Sequence, residues 1–167
     1  MTQRILEIVA EPGQASFTTR RVVDAPRELV FDAFTKPEHL RQWMGPASKT
    51  MVTCDVDLRV GGGYRFVYRA PNGAEFGFYG EFREIIRPER LVRTFICSPR
   101  PIHEALETLT LEERNQETTI RTLTVHKSVE GRDWHLASGG MEAGMKDGYA
   151  RLDELLAALQ GRRAAPR

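Results

Sequence analysis

Four histidines, His39, His103, His126 and His135, and two cysteines, Cys54 and Cys97, are the side chains that could hold a metal or act as soft nucleophiles. Their separations match no zinc pattern, neither among themselves nor in combination. HExxH, GxSxG and CxxC are all missing from the chain, so metal-assisted or nucleophilic hydrolysis has no motif behind it. Gly61-Gly62-Gly63 resembles a phosphate loop only in composition. It lacks the GxxxxGK[ST] and GxGxxG frames and leads into a strand, not a helix, so it reads as a tight turn. Acid–base chemistry would need titratable groups converging inside the fold. Glu81, Arg65 and Tyr79 are the trio the sequence offers for that role, and Arg93 is another charge set within a strand. All these charges are expected on the solvent face; one pointing inward would meet a carboxylate or a carbonyl.

The positive signal is a surplus of aromatic residues with polar tips. Trp43, Tyr64, Phe66, Tyr68 and Phe76 form one part of it, and Phe78, Phe95 and Tyr149 the rest. A solid core is more simply built from Leu and Val, and a buried Tyr or Trp needs a partner for its OH or NH. Ligand pockets, by contrast, are mainly apolar with a few polar groups. These rings, with Met141 and Met145, are the expected lining of a cavity; a plain packed core is the competing reading.

One long helix has to cover them. Met141 to Gln160 repeats apolar residues every three or four positions: Met141, Met145, Tyr149, Leu152, Leu156 and Leu159. Glu142/Lys146 and Asp147/Arg151 are acid-before-base pairs four apart, each worth roughly 0.2–0.5 kcal/mol. Gly161 is the expected stop. Gly140, Gly144 and Gly148 recur every four residues beside the apolar stripe, and a mid-helix glycine costs about 1 kcal/mol against alanine. Either another backbone comes close there, or space is left open.

Ahead of that helix the chain reads as an edge strand at Ile5–Val9 and a first full strand at Phe17–Val23. Asp24 is placed to cap a short helix over Arg27–Thr35, with Pro26 early in it. A second short helix is expected over Pro37–Trp43. Six strands follow: Thr50–Asp55, Tyr64–Ala70, Glu75–Ile86, Arg90–Cys97, Ala105–Glu112 and Thr118–His126. In the third of these, Phe76, Phe78, Phe82 and Ile86 are expected on one face and Tyr79 on the other. Glu130–Gly139 is polar, contains Gly131, and reads as a loop. Strands joined by turns without intervening helices argue for an antiparallel sheet in an α+β fold.

At 167 residues and a formal charge of +1, the chain fits one domain over residues 1–160 with a flexible basic tail at 161–167. Nothing in the charge pattern points to nucleic acid. No apolar run approaches a membrane span, and the N-terminus lacks a secretory h-region. Two cysteines are too few for a disulfide framework, so small buried thiols in a reduced cytoplasm are expected.

Four segments carry a resemblance: DAPRELVFDAFTKPEHLRQWMGP, CDVDLRVGGGYRF, GEFREIIRPERLVRTF and GMEAGMKDGYARLDELL. In this order the chain resembles the SRPBCC (START, birch-pollen-allergen-like) superfamily, in the branch named for the activator of the Hsp-ninety chaperone ATPase. The resemblance implies a helix-grip fold, a curved antiparallel sheet wrapped around the C-terminal helix with a cavity between them. Met44 and Met145 stand where the branch commonly has aromatics, exchanging rigid rings for flexible thioethers. The aromatic surplus set in such a cavity is read as non-catalytic binding of a small hydrophobic molecule (a lipid, polyketide or similar), with no cofactor or metal expected. A chaperone-interaction module and a cyclase- or hydrolase-type enzyme using the same cavity stay open as alternatives, as does a homodimer.

Overall fold

A computed structural model of the chain describes residues 4–98, 101–137 and 141–164. Eight strands form a single antiparallel sheet: β1 (Glu7–Val9), β2 (Ser16–Val23), β3 (Thr50–Val56), β4 (Gly63–Arg69), β5 (Glu75–Ile86), β6 (Arg90–Ser98), β7 (Ala105–Arg114) and β8 (Glu117–His126). Their order across the sheet is β1-β2-β8-β7-β6-β5-β4-β3, so β1 and β3 are the two edges and the sheet curves without closing. The short helices α1 (Arg27–Thr35) and α2 (Pro37–Trp43) fall where the sequence puts them. Two further helices follow the sheet, α3 (Val129–Ala137) and α4 (Met141–Ala164). The architecture is the expected α+β one, with the helices on the concave face.

Alternation along each strand decides which side chains meet them. On β4, Tyr64, Phe66 and Tyr68 are buried while Gly63, Arg65 and Arg69 are exposed. On β7 the inward set is Ala105, Glu107, Leu109 and Leu111, paired across β8 with His126, Thr124, Thr122 and Ile120. Tyr149, Leu152, Leu155 and Leu156 of α4 complete the core, together with Val30, Phe31, Leu40 and Trp43 of the short helices. Arg21 grips α4 from β2: its Nη1 and Nη2 donate to the two oxygens of Asp153 at 2.8 and 2.6 Å. Gln160 Nε2 donates to the Asp24 carbonyl at 2.8 Å, a second tie near the same end of the helix.

Several expectations are corrected. Residues 129–137 are helical, not a loop: the Gly131 amide donates to Ser128 Oγ at 3.0 Å and the Arg132 amide to the Ser128 carbonyl at 3.1 Å, closing the first turn. Gly131 sits there because a Cβ would come within 3.3 Å of His103 Nδ1 and of Ser128 Oγ. Asp24 does not cap α1. Pro26 holds the cap position in an extended conformation, and the exposed Arg27 amide donates to Glu113 Oε1 of β7 at 2.8 Å. Gly161 does not stop α4, which continues to Ala164; residues 165–167 of the expected tail lie outside the described residues, as do Gly139 and Gly140. The register of β5 against β6 shifts between Phe82 and Glu84, a bulge that moves Ile85 onto the core and leaves Ile86 45% exposed, against the expected pattern. Gly148 marks close packing, not open space: a Cβ there would lie 3.0 Å from the Trp43 carbonyl oxygen, whereas at Gly144 the nearest atom, Pro46 Cδ, is 3.8 Å away.

Candidate functional site

The concave face divides into an aromatic half on β4–β6 and a polar half on β2, β6, β7 and β8. Of the ten expected lining residues, Trp43, Tyr64, Phe66, Tyr68 and Tyr149 are buried. Trp43 Nε1 donates to the Ala33 carbonyl at 2.8 Å, and its ring stacks on Tyr149 at 5.9 Å. Tyr64 Oη donates to the Thr94 carbonyl at 2.7 Å. Tyr68 is buried with no partner for its hydroxyl. The other five, Phe76, Phe78, Phe95, Met141 and Met145, are only half-buried. Phe76, Phe78 and Met145 pack on the core cluster beside Met44 and Met51.

The half-buried rings run on in one chain. Tyr68 stacks on Phe76 at 5.2 Å, and Phe78 stacks on Phe95 at 5.0 Å. Phe95 lies parallel to His135 of α3 at 5.2 Å, with 1° between the ring planes. His135 also meets Phe17 edge-on at 5.0 Å, and its Nδ1 is 2.9 Å from His126 Nε2. Burial lowers the pKa of both histidines, His135 to about 4, so the pair is neutral near neutral pH. The missed helix α3 thus supplies one end of the aromatic wall. Arg132 ties that helix to the start of the chain by donating to the Glu11 and Ser16 carbonyls at 2.7 and 3.3 Å.

At the centre of the concave face Arg93 points inward and meets a carboxylate, as a charge so placed must. Its Nε and Nη2 both approach Glu107 Oε1, at 2.9 and 2.8 Å. The guanidinium lies 4.4 Å from the Tyr64 ring centre and 6.0 Å from that of Phe66. Burial works against the Arg93 charge, but Glu107 outweighs it and holds the group protonated. Burial pushes the Tyr64 and Tyr149 hydroxyls well above their usual range, with the Glu107 charge adding to the shift at both. Glu107 nevertheless keeps 17% of its side chain accessible, although it lies mid-sheet and faces the helices. Nearby, Thr19 and Thr122 share a hydroxyl hydrogen bond of 2.5 Å. Glu107 was readable from parity alone, since it alternates with Leu109 and Leu111; Arg93 likewise shares the parity of Leu91 and Phe95.

Arg65, Glu81 and Tyr79 do not converge inside. All three lie on the exposed convex face, which removes them as an acid–base set. An open depression of about 600 Å3 lies there, where Arg65, Val67 and Tyr79 flank Gly63 and Gly77. Both cysteines are free, Cys54 buried and Cys97 half-buried. Among the described residues no group of three or more His, Cys, Asp or Glu is placed to hold a metal, and no helix is long and apolar enough to cross a membrane.

A curved antiparallel sheet with a gripped terminal helix and a mixed aromatic and polar concave face defines the helix-grip class. Residues 24–157 match the family described as "Activator of Hsp90 ATPase homolog 1-like protein", and the chain belongs to that family, within the SRPBCC superfamily. A solved protein from Rhodobacter sphaeroides is similar at 29% identity, covering 91% of this chain and 99% of its own, with a TM-score of 0.81. One from Nitrosomonas europaea is similar at 27% identity, covering 88% and 97%, with a TM-score of 0.77. A Mycobacterium smegmatis protein shares the fold at 19% identity, covering 91% and 97%, with a TM-score of 0.81. No curated protein matches the chain.

Proposed function

We propose that the protein binds a small, largely apolar molecule between α4 and the concave face of the sheet, without transforming it. The accessibility of Glu107 carries this reading: a carboxylate facing inward at mid-sheet reaches solvent only if the helix above does not fill the space. The half-buried Phe76, Phe78, Phe95, Met141 and Met145 agree with it, an apolar wall open at one end. So does the helix placement. α1 and α3 bring their backbones close to β7, β8 and β2, whereas the backbone neighbours of α4 are chiefly other helices. A saturable uptake of Nile red, displaced by members of a lipid, flavonoid and polyketide library that also raise the melting temperature, is the expected result. Met145→Trp, which fills the space, should abolish uptake in a folded protein. Failure of every compound to bind or stabilise retires the reading.

A second reading, an interaction module for a chaperone, is favoured by the convex face. Leu106, Leu123 and Val125 are each about 40% exposed there, with Leu106 directly opposite Val125 across β7 and β8. Apolar groups clustered on a surface suit a protein partner. A pull-down with the cell's own Hsp90 homologue and an ATPase assay decide it. No binding at micromolar concentration removes it, and a concentration-dependent dimer in solution would assign the strip to a second copy instead.

A further inference from the structure

The polar centre of the concave face limits what kind of molecule can sit there, an inference that rests on the binding reading above. Arg93 commits Nε and Nη2 to one oxygen of Glu107. Among the described residues, Arg93 Nη1 and Glu107 Oε2 have no hydrogen-bond partner, and the two side chains keep 10% and 17% of their surface accessible. A spare donor and a spare acceptor therefore stand side by side on the same ion pair. The pair is neutral as a unit. A ligand anion would gain Arg93 but face Glu107, and a cation would gain Glu107 but face Arg93. Either would bury a third charge without a counter-ion of its own. An apolar head would leave the donor and acceptor stripped of water and unpaired. The wall leading away from the dyad is aromatic, with Phe78, Phe95 and His135 stacked face to face and their edges left for a guest to meet.

We infer that the ligand has an apolar, ring-containing body and an uncharged head that carries a donor and an acceptor together, of the phenol, carboxamide or lactam kind. The head gives a hydrogen bond to Glu107 Oε2 and takes one from Arg93 Nη1; ionised carboxylates and phosphates are refused.

A matched series on one ring system tests this: 2-naphthol, 2-naphthamide, 2-naphthoate and naphthalene, titrated into the full chain near neutral pH and followed by calorimetry and by shifts of the amide signals of Arg93 and Glu107. The naphthol and the naphthamide should bind about tenfold or more tighter than the naphthoate, the step expected when a buried polar group loses its partner or meets a like charge. Glu107→Gln leaves the Arg93 charge without its counter-ion, so the order should invert, with the naphthoate tightest. Should that variant not fold, the double variant Arg93→Leu with Glu107→Leu replaces the pair by apolar groups, a change often tolerated. It should bind naphthalene and 2-naphthol alike, and if neither variant folds the wild-type series decides. Naphthoate binding as tightly as naphthol to the wild-type chain overturns the head-group inference and leaves the pocket standing. Failure of all four probes together with Nile red removes the pocket, and the inference with it.

Discussion

Tyr64 reaches across the β5–β6 ladder and donates its hydroxyl hydrogen to the carbonyl of Thr94, 2.7 Å away. Strand pairing skips at this point, running from Tyr79 opposite Ile96 to Phe82 opposite Arg93. In the gap, Thr94 Oγ1 accepts the Glu81 amide at 2.9 Å while its carbonyl takes the tyrosine. The gap exists because residue 80 is glycine: a Cβ there would fall 2.0 Å from the Thr94 oxygen. The result is a fixed Tyr64 ring beneath the Arg93 guanidinium.

Tyr64→Phe should therefore cost about 1–3 kcal/mol, the desolvation penalty of an acceptor left unpaired. Gly80→Ala should cost about 3 kcal/mol, since the obstructing atom is backbone and cannot swing aside. Urea melts at unchanged slope measure both. A Gly80→Ala variant as stable as the wild type would remove the account of the gap.

The two depressed histidines make stability fall on mild acidification. Burial holds His135 neutral down to about pH 4, while an unfolded histidine takes its proton near 6.5, so the unfolded state gains the extra proton first as pH drops. The stabilisation is whole above pH 6.5 and is lost as pH falls from there to about 4, a loss of order 3 kcal/mol from His135. Denaturant midpoints measured across that window should fall, and His135→Phe, which keeps a ring against Phe95, should flatten the fall.

Two glycines one turn apart in α4 should respond in opposite ways. Gly144 has only Pro46 Cδ at 3.8 Å, so Gly144→Ala should gain up to about 1 kcal/mol of helix propensity. At Gly148 the added methyl presses on the Trp43 carbonyl at 3.0 Å, a group fixed at the end of α2, and Gly148→Ala should lose stability. Thermal melts of the two single variants suffice; equal gains at both positions would refute the close approach of α2.

The bulge in β5 separates Ile85 from Ile86. Ile85→Ala should cost roughly 1–2 kcal/mol from a half-buried site, whereas Ile86→Thr on the exposed side should stay within about 0.5 kcal/mol of wild type. The reverse ranking in a chemical melt would restore the unbroken alternation.

That pair also shows where reading a sequence stops. Strict alternation put Tyr64, Phe66 and Tyr68 inside correctly, because nothing interrupts β4. It failed at Ile86 because a bulge adds one residue through the hydrogen bonding of a neighbouring strand, which no local pattern records. The α1 and α2 helices were legible from Pro26, Pro37 and their apolar spacing, but the partner of the Arg27 amide comes from Glu113, distant in the chain. Helix α3 was hidden because Gly131 counts as a breaker until its neighbours His103 and Ser128 are known. At the site, the aromatic half was plain in composition. Arg93 was expected on the solvent face and Glu107 was not singled out, although each shares the parity of buried neighbours; only pairing β6 with β7 makes them partners.

Arg21 on Asp153, Gln160 on the Asp24 carbonyl, Arg151 on the Gly45 carbonyl and Asp147 on the Ala47 amide hold α4 from its second turn onward, which makes it a cantilever with a short free arm. A beam held firmly at one end deflects most at the other, and here the other end carries Met141 and Met145. Admission of a guest would then bend the helix by its first turn alone, leaving Gly148 on Trp43, Leu152 and Leu156 seated and the sheet undisturbed.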